Sequence, residues 1–311
     1  MQSALAAAGI QAQRIEHLWW VMFWVTLIVT VIVLGALAFA VRRGAGAADV
    51  GKDDRPLARY ISIATGISIV ILIGLLVESV ITSRAIASQR DEQGALEIEV
   101  VAYQWWWSAE YQHPDVEQRV RTANELHIPV GKTVAIKLLA GDVIHSFWVP
   151  SLHGKLDAIP GHAATLWLRA DTAGVYRGQC AEYCGHQHAH MAFVVIAEAP
   201  EEFERWIQAQ RQTAHPPSSE LEQRGLQVVQ QSACVMCHTV RGTAAGGRIA
   251  PDLTHLATRA TIASGTLPRT PDNLRRWIRD PQSIKPGSRM PNLALPDNDI
   301  AALVAYLEQL K

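Results

Sequence analysis

Two long apolar runs near the N-terminus constrain the fold of this 311-residue chain more than any other feature. Residues 18–41 form a stretch of 24 residues without a charged side chain, and residues 60–81 carry a single one, Glu78, near the end of the run. An α-helix rises about 1.5 Å per residue, so either run is long enough to cross a hydrocarbon layer about 30 Å thick. The sequence therefore predicts a two-helix transmembrane hairpin within residues 1–90.

Basic residues predict the orientation of this hairpin. The segment before the first run contains one, Arg14, whereas the segment between the runs contains Arg42, Arg43, Lys52, Arg55 and Arg59. Because cytoplasmic loops are enriched in Lys and Arg, we expect this loop in the cytoplasm and both chain ends on the outer side. The first run is too long for the apolar part of a cleaved signal peptide. These features predict a multi-pass protein of the bacterial inner (plasma) membrane, with soluble domains on the periplasmic, extracytoplasmic side.

A Cys-x-x-Cys-His motif lies in the C-terminal third of the chain. Cys234 and Cys237 have the spacing at which two thiols bond to the vinyl groups of one haem, and the adjacent His238 imidazole reaches the iron. Zinc is a weaker interpretation, because a zinc site needs a second close pair of ligands and only His255 follows. A short disulfide is the other alternative. The motif favours one covalently bound haem c.

Met290 is the candidate for the second axial ligand of this haem. A low-spin haem that transfers electrons needs such a ligand, and a thioether in that place raises the reduction potential. Met22 lies in an apolar run and Met236 lies between the two haem cysteines, whereas Met290 stands in residues 285–291, a loop with Pro and Gly. The alternative is a methionine that fills the protein core.

Helix signals surround the haem motif. Ser219 and Glu222 form a capping box at the start of one predicted helix. Thr270 followed by Pro271 starts a second. Asp297 is predicted to cap a third, in which apolar residues repeat at helical spacing. Three helices and a haem suffice for one small all-α domain.

Residues 219–311 resemble a class I cytochrome c. The family pattern matches Gly225, Cys234, Cys237, His238, Pro251, Trp277, Met290 and Tyr306. The resemblance implies an all-α haem domain, with thioether attachment at Cys234 and Cys237. It also implies that His238 and Met290 are the axial ligands.

A second cysteine pair lies among other soft metal ligands. The cluster comprises Cys180, Cys184, His186, His188, His190 and Met191. Thiolate, imidazole and thioether together favour copper. A mononuclear blue site uses one Cys, so the second Cys predicts a binuclear centre, and His145 is suited to supply a further imidazole because it follows a predicted strand. A disulfide between the two cysteines and a zinc site are the alternatives.

Short segments rich in Val, Ile, Trp and Phe surround this cluster. Strands are predicted at residues 96–101, 133–139, 146–149, 164–170, 174–179 and 191–197. Their spacing and the Gly and Pro residues between them are typical of an antiparallel β-sandwich, which would occupy residues 95–200. Residues 201–218 follow as a short helix and a brief semi-rigid linker.

The sandwich resembles the copper domain of cytochrome c oxidase subunit 2, a cupredoxin fold that holds a dinuclear copper centre called CuA. The family signature Cys-x-Glu-x-Cys-x-x-x-His-x-x-Met stands at residues 180–191. The resemblance implies two copper ions held by the bridging thiolates of Cys180 and Cys184, the imidazoles of His145 and His188, the thioether of Met191 and the backbone carbonyl of Glu182. It further implies a magnesium ion on the Glu182 side chain, at the border with subunit 1. His186 and His190 lie off the ligand positions and are interpreted as surface residues.

A tryptophan-rich run, residues 103–108, is another mark of this family. Alternation along a strand would place Trp105 and Trp107 on one face and Trp106 on the other. The alternative interpretation is that such large rings simply fill the core of the sandwich. In the family the first tryptophan of the run helps electrons to reach the copper centre, so the resemblance implies this role for Trp105. Residues 156–161 match the segment that meets subunit 1, but His162 follows where the family usually has Arg.

The resemblances together imply a multidomain protein: subunit 2 of a proton-translocating haem-copper terminal oxidase, a cytochrome-c oxidase. Electrons would pass from an external donor, a soluble or membrane-bound cytochrome c or another carrier, through haem c and CuA to subunit 1, which performs the oxygen chemistry. Subunit 1, subunit 3 and membrane lipid are the expected partners, and a net charge of −1 does not suggest nucleic acid. The alternative is a non-enzymatic, membrane-anchored electron shuttle that docks to another reductase.

Overall fold

The computed structural model describes residues 2–44, 55–88 and 95–311. These residues form two compact units, one made of residues 13–44 and 55–88, and the other of residues 2–12 and 95–311. The second unit contains two hydrophobic cores, one in the predicted sandwich and one in the predicted haem domain.

Two helices make up the first unit, as the apolar runs predict. Helix α1 spans Ile10–Arg43 and helix α2 spans Arg55–Ala87, and both are long and apolar enough to cross a membrane. They exceed the predicted spans of about residues 18–41 and 60–81, because the more polar residues that flank each apolar run continue the same helix. Lys52, which contributes to the predicted loop charge, lies outside the described residues.

Glu78 lines a groove between α1 and α2 together with His17. The rest of the groove is apolar and is formed by Val21, Val25, Ile28, Val29, Ile71, Gly74 and Leu75. Near His17 the side chains of Trp19 and Phe23 stack with their ring centroids 5.3 Å apart. Aromatic rings concentrate at membrane interfaces, so this end of the hairpin has the composition of an interface.

Within residues 95–200, all of which the structure describes, ten strands form the predicted sandwich. They are β1 (Leu96–Tyr103), β2 (Trp106–Tyr111), β3 (Val120–Ala123), β4 (Glu125–Pro129), β5 (Val134–Ala140), β6 (His145–Trp148), β7 (Leu156–Ala158), β8 (Ala164–Leu168), β9 (Gly174–Cys180) and β10 (Ala192–Glu198). One sheet has the order β3-β2-β1-β5-β8 and the other has the order β4-β10-β9-β6-β7. The sandwich prediction is confirmed, although the predicted strands omit β2, β3, β4 and β7, which are three to six residues long.

Both sheets are mixed, which corrects the prediction of purely antiparallel pairing. Strand β1 pairs in parallel with β5, with Leu96 opposite Val134, and β4 pairs in parallel with β10, with Glu125 opposite Val194. Parallel neighbours need a long connection, and here the chain builds other strands before it returns. The apolar pattern of a strand does not encode the direction of its partner, so this feature depends on the tertiary structure.

Trp105 lies in the turn between β1 and β2 rather than in a strand. Its side chain is only 9% exposed and belongs to the sandwich core, as does the fully buried Trp107. Trp106 is partly exposed and stacks on Tyr103, with ring centroids 5.1 Å apart. The predicted division of the three tryptophans is therefore confirmed, but the turn and not the strand alternation places Trp105.

Helix α3 (Pro200–Arg211) follows the sandwich and confirms the predicted short helix. It packs on the copper domain through the buried Ile207 and through Trp206, whose ring stacks on His127 at a centroid distance of 4.1 Å. Residues 212–218 then lead to the haem domain without a helix or strand. Their backbone contacts that domain, because the Ala214 amide donates to the Arg241 carbonyl at 3.0 Å.

The haem domain is helical, as predicted. Its elements are α4 (Glu220–Gln231), α5 (Cys234–Cys237), a short hairpin of β11 (Thr261–Ile262) and β12 (Leu267–Pro268), α6 (Pro271–Arg279), α7 (Pro281–Ile284) and α8 (Asp297–Glu308). The capping box at Ser219 and the cap at Thr270 are confirmed. The cap at Asp297 is wrong: Pro296 is the N-cap, and the Asp297 carboxylate instead contacts Arg279.

Gly225 explains how α4 and α8 cross closely in this domain. A Cβ atom at this position would lie 2.2 Å from the Ala302 carbonyl oxygen and 2.5 Å from the Tyr306 Cβ. Only a glycine lets the two backbones approach to this distance. Two residues of the cytochrome c pattern, Gly225 and Tyr306, are thus neighbours in one helix contact.

Candidate copper and haem sites

Strand pairing brings the first two predicted copper ligands together. Strand β6 begins at His145 and β9 ends at Cys180, and the two strands pair so that Phe147 lies opposite Cys180. Residues two apart on a strand face the same side, so the His145 and Cys180 side chains share one face. The chain then turns at Gly185, whose positive φ of 105° favours glycine, and returns through Met191 to β10.

The donor atoms of the six predicted ligands lie close together. Distances between donor atoms are 3.8 Å from Cys180 Sγ to Cys184 Sγ, 3.8 Å from Cys180 Sγ to His145 Nδ1, 3.6 Å from Cys184 Sγ to His188 Nδ1, 3.8 Å from Cys184 Sγ to Met191 Sδ and 3.2 Å from Cys180 Sγ to the Glu182 carbonyl oxygen. Each sulfur of the cysteine pair therefore has an imidazole and a weaker donor beside it.

This donor set fits a dinuclear copper centre. A disulfide has a sulfur–sulfur distance of about 2.05 Å, and Cys180 and Cys184 are free thiols 3.8 Å apart. Zinc prefers four Cys, His or carboxylate ligands in a tetrahedron, whereas a thioether and two shared thiols are soft donors that suit copper. Such a centre, when bound, supplies one-electron redox chemistry.

The site is largely shielded from solvent. Cys180 and Cys184 are each 3% exposed, Met191 is 1% exposed and His145 is fully buried. His188 is only partly buried. A dry, apolar shell limits solvent access to a metal and influences its reduction potential.

Asp142 holds the His145 ring with its Nδ1 atom towards Cys180. Its Oδ1 lies 2.9 Å from His145 Nε2, so Nδ1 is the ring nitrogen that faces Cys180. The carboxylate also accepts hydrogen bonds from the backbone amides of Gln104 and Val143, each at 2.8 Å. A carboxylate on the outer nitrogen of a ligating histidine fixes the ring and raises its basicity.

The pKa values of these groups follow from the same contacts. Burial alone would lower the pKa of His145, but the contacts with Cys180 and Asp142 outweigh it and raise that pKa. Burial opposes ionisation of Asp142, yet the bonds from His145 and from two backbone amides lower its pKa. The neighbouring Cys184 thiol lowers the pKa of Cys180, and the same contact together with burial raises the pKa of Cys184. Of the two thiols, Cys180 therefore ionises more readily than Cys184.

Trp105 contacts the loop that carries the second cysteine. Its indole Nε1 donates to the Cys184 carbonyl at 2.9 Å, and the Gln104 side-chain amide donates to the same oxygen at 2.8 Å. A Cβ atom at Gly185 would lie 3.3 Å from Trp105 Cζ2, so the loop lies directly against the ring. Trp105 is thus one hydrogen bond away from a predicted copper ligand.

The remaining predicted residues of the copper loop are at the surface. The Glu182 carboxylate is 43% exposed, with its Oε2 3.9 Å from Lys155 Nζ. His186 and His190 are exposed, which agrees with their interpretation as surface residues. The His190 ring contacts the Gln187 side chain at 2.7 Å rather than either cysteine.

In the haem domain the Cys-x-x-Cys-His motif forms the short helix α5 and the residue after it. His238 Nδ1 lies 2.7 Å from the Pro251 carbonyl, which makes Nδ1 the donor and leaves Nε2 for a metal. Burial lowers the pKa of His238, which favours the neutral imidazole that ligates iron. A Cβ atom at Gly247 would lie 2.5 Å from the Cys237 carbonyl carbon, so this loop packs tightly against the motif. The donor chemistry and tautomer fit a covalently bound haem.

Met290 stands at the end of a loop that side-chain hydrogen bonds hold in place. The Gln282 side-chain amide donates to the carbonyls of Ser288 and Met290, each at 2.8 Å, and its oxygen accepts the Gly287 amide at 2.9 Å. Gly287 has a φ of 84°, the turn conformation that favours glycine. The predicted rigid loop is therefore present, with Met290 partly buried.

Two residues with a part in the sites are absent from the sequence prediction. Asp142 contacts His145 from three residues earlier in the chain, and this short spacing is the one sequence feature that could have predicted the contact. Lys285 is buried between the copper and haem domains. Its sequence context, a lysine followed by Pro286 and Gly287, is typical of an exposed loop and does not predict burial. Both roles arise from contacts that form only in the folded chain.

Comparisons with known proteins match both domains. Residues 112–198 match the family model described as cytochrome C oxidase subunit II, periplasmic domain, and residues 222–311 match the model described as cytochrome c. A solved structure of the periplasmic domain of subunit II of cytochrome oxidase from Bradyrhizobium japonicum is 31% identical, covers 37% of this chain and 93% of that chain, and has a TM-score of 0.35.

Two curated relatives extend the match along the chain. The protein named cytochrome c oxidase subunit 2 of Alkalihalophilus pseudofirmus is 42% identical over 217 residues, which are 69% of this chain and 61% of the relative. The protein of the same name from Bacillus sp. PS3 is 32% identical over 264 residues, which are 79% of this chain and 73% of the relative. With a sandwich that gathers the signature cysteines and a helical domain that carries the haem motif, the chain belongs to the cytochrome c oxidase subunit 2 family and has a cytochrome c domain at its C-terminal end.

Proposed function

We propose that this chain is the electron-accepting subunit of a haem-copper terminal oxidase, a cytochrome-c oxidase. Electrons pass from an external donor to haem c, then to the dinuclear copper centre CuA, and on to subunit 1, where oxygen is reduced. One observation carries this proposal: the loop that ends at Met290 packs against Trp105 and against the loop of the copper ligands, within one compact unit. Two redox domains held together in one chain exchange electrons without a diffusional encounter.

The proposal assigns every predicted ligand. Two copper ions are held by Cys180, Cys184, His145, His188, Met191 and the Glu182 carbonyl; one haem c is held by Cys234, Cys237, His238 and Met290. The buried, hydrogen-bonded ligands limit rearrangement during a redox change. The exposed Glu182 carboxylate is available for a magnesium ion shared with a neighbouring subunit.

The membrane hairpin and the family relationship suggest the surroundings of the chain. We propose subunit 1, and subunit 3 with it, as partners of α1 and α2 in the bacterial inner membrane, with membrane lipid on the remaining surface. Many apolar side chains of both helices are exposed, which supports contact with lipid or other helices. The copper and haem domains then lie on the periplasmic side. A cytochrome c or an equivalent one-electron carrier is the proposed donor.

A pair of histidine variants tests the copper assignment. His188→Asn removes a proposed ligand, whereas His186→Asn changes an exposed neighbour two residues away. We expect two copper ions and one haem per wild-type chain, and a seven-line electron paramagnetic resonance pattern of a charge-shared copper pair. His188→Asn should lose this pattern, and His186→Asn should retain it. One copper ion in the fully loaded wild-type protein would contradict the assignment.

The oxidase assignment needs a separate measurement. The protein purified from its native membrane should co-purify with a haem-bearing subunit that consumes oxygen when reduced donor is supplied. Electron transfer from haem to copper in a preparation with no oxygen-consuming subunit would indicate a shuttle that docks to another reductase.

A further inference from the structure

The copper and haem domains share a specific contact, here called the domain contact. On the copper side it comprises residues 104–105, Glu125 and residues 187–192, and on the haem side residues 260–264 and 285–287. The Ala192 amide donates to the Ser264 carbonyl at 3.1 Å, the Ser264 hydroxyl donates to the Ala192 carbonyl at 2.8 Å, and the Gln187 side chain donates to the Pro286 carbonyl at 2.9 Å. These directional bonds hold a defined arrangement rather than a loose tether.

Lys285 lies in the centre of the domain contact and is only 3% exposed. Its ammonium donates to the carbonyls of Trp105 at 2.8 Å, His190 at 2.7 Å and Ala263 at 3.0 Å. An ammonium has three donors, and here each has one acceptor, so the group is fully hydrogen-bonded. Two of the three acceptors belong to the copper domain.

A buried ammonium is costly, which makes its location informative. Burial lowers the pKa of Lys285 to about 7, because removal from water disfavours the charged form of the side chain. An apolar side chain would fill the same space at lower cost if packing within the haem domain were the only requirement. Only Ala263 gives Lys285 an acceptor in its own domain, so the haem domain alone leaves most of the charge unsatisfied.

The same lysine binds the backbone of Trp105, the residue between the two loops. It bonds the Trp105 carbonyl, while the indole of Trp105 bonds the Cys184 carbonyl at 2.9 Å. On the haem side, a Cβ atom at Gly287 would lie 3.4 Å from Trp105 Cη2, so the loop that leads to Met290 lies against the ring. Trp105 is therefore enclosed between the loop of one site and the loop of the other.

We propose that Lys285 is a positioning residue that seats the Met290 loop on Trp105 and so keeps the haem domain docked on the copper domain. The seating is a property of the chain itself; its consequence for electron transfer rests on the proposed function. Without the lysine the two domains remain linked by residues 212–218 and by the Ala192, Ser264 and Gln187 bonds, and the contact between the two loops opens more often.

Hydrogen exchange on the full-length, copper- and haem-loaded chain in detergent tests the seating. Lys285→Met retains the length of the side chain and removes the donors, and Lys311→Met is the matched control, because Lys311 is the other lysine of residues 219–311 and is exposed. The amides of Ala192 and Ala260 bond across the domain contact, the latter to Glu125 Oε1 at 2.8 Å. In Lys285→Met their exchange should accelerate at least about tenfold, which corresponds to about 1.4 kcal/mol, with helices α4 and α8 unchanged.

Wild-type exchange at both amides in a Lys285→Met protein with normal haem and copper spectra would overturn the proposal. If Lys285→Met fails to load both cofactors, Lys285→Gln replaces it, and failure of both variants would also overturn it, since Lys285 would then be needed for folding rather than for docking.

A second readout separates this proposal from the proposed function. After photoreduction of the haem, transfer to copper should slow at least about tenfold in Lys285→Met while both reduction potentials stay at wild-type values. If the wild-type chain shows no such transfer but its domain contact still depends on Lys285, the proposed function fails and the positioning role stands. Faster exchange at the domain contact with an unchanged transfer rate would overturn the link between seating and electron transfer.

Discussion

Replacing Asp142 by Asn tests how strongly the copper site depends on a carboxylate that is not itself a proposed ligand. The Asp142 Oδ1 accepts from the Val143 amide and lies 2.9 Å from His145 Nε2, while Oδ2 accepts from the Gln104 amide at 2.8 Å and lies 3.3 Å from Arg289 Nη2. Asparagine keeps one oxygen and replaces the other with an NH₂ group. In one orientation the new NH₂ group faces the Gln104 amide, and in the other it faces the Val143 amide and His145 Nε2, so a donor faces a donor in both.

The expected loss follows from these contacts. If the oxygen stays on His145, a charge-assisted bond becomes a neutral one that is about half as strong. The Gln104 amide then has no acceptor, at a cost of about 1–3 kcal/mol. Part of this cost is relieved by movement, and removal of comparable outer contacts typically weakens metal binding by roughly 10–100-fold. We therefore expect Asp142→Asn to lower copper affinity by that factor, or about 1.4–2.7 kcal/mol.

The measurement is a competition titration of copper between the haem-loaded chain and a chelator, followed by the near-infrared absorption of the copper centre. Asp272→Asn is the control, because that side chain is 88% exposed in the haem domain and has no contact with the copper site. Haem absorption should be normal in both variants. An affinity for copper within about twofold of wild type in Asp142→Asn, well below 1 kcal/mol, would refute the role of Asp142.

Two further predictions concern the haem domain. Met290→Ala should leave the haem attached through Cys234 and Cys237 but lower its reduction potential, because a thioether ligand favours the ferrous state. The expected decrease is a substantial part of the roughly 0.8 V range that axial ligands span. A redox titration measures it, and an unchanged potential would reject Met290 as the ligand. Gly225→Ala should destabilise the haem domain by about 1–3 kcal/mol or more, because the added Cβ would lie 2.2 Å from the Ala302 carbonyl oxygen. Thermal unfolding followed at the haem absorption band measures this loss, with Gly246→Ala as the control, since a Cβ there meets nothing within 4 Å. Equal stability of the two variants would contradict the close helix crossing.

Sequence patterns predict those parts of the molecule that depend on local chemistry. The apolar runs predict the two long helices because a membrane span is defined by length and polarity alone. The Ser219 capping box and the Thr270 cap are confirmed because a cap is a contact between residues two or three apart. The cysteine spacings predict two metal sites, and the structure gathers the donor atoms around Cys180 and Cys184.

Features that depend on distant contacts are the ones that the sequence leaves open. The parallel pairing of β1 with β5 and of β4 with β10 joins strands far apart in the chain, and no strand pattern encodes its neighbour. One local feature was also predicted wrongly: the helix begins one residue earlier than the predicted cap implies, with Pro296 as the N-cap and Asp297 in the first turn.

By itself, then, the sequence determined the two long apolar helices, the class of each domain and the set of candidate metal-binding residues, since these follow from residue type and spacing. Only the tertiary structure decided how the two redox domains meet. In the sequence, Lys285 has the features of an ordinary loop lysine. In the folded chain, the carbonyls of Trp105 and His190 lie within hydrogen-bonding distance of its ammonium. A buried charge depends on the acceptors around it, and two of the three here lie 95 and 180 residues away along the chain, so no local sequence pattern predicts them.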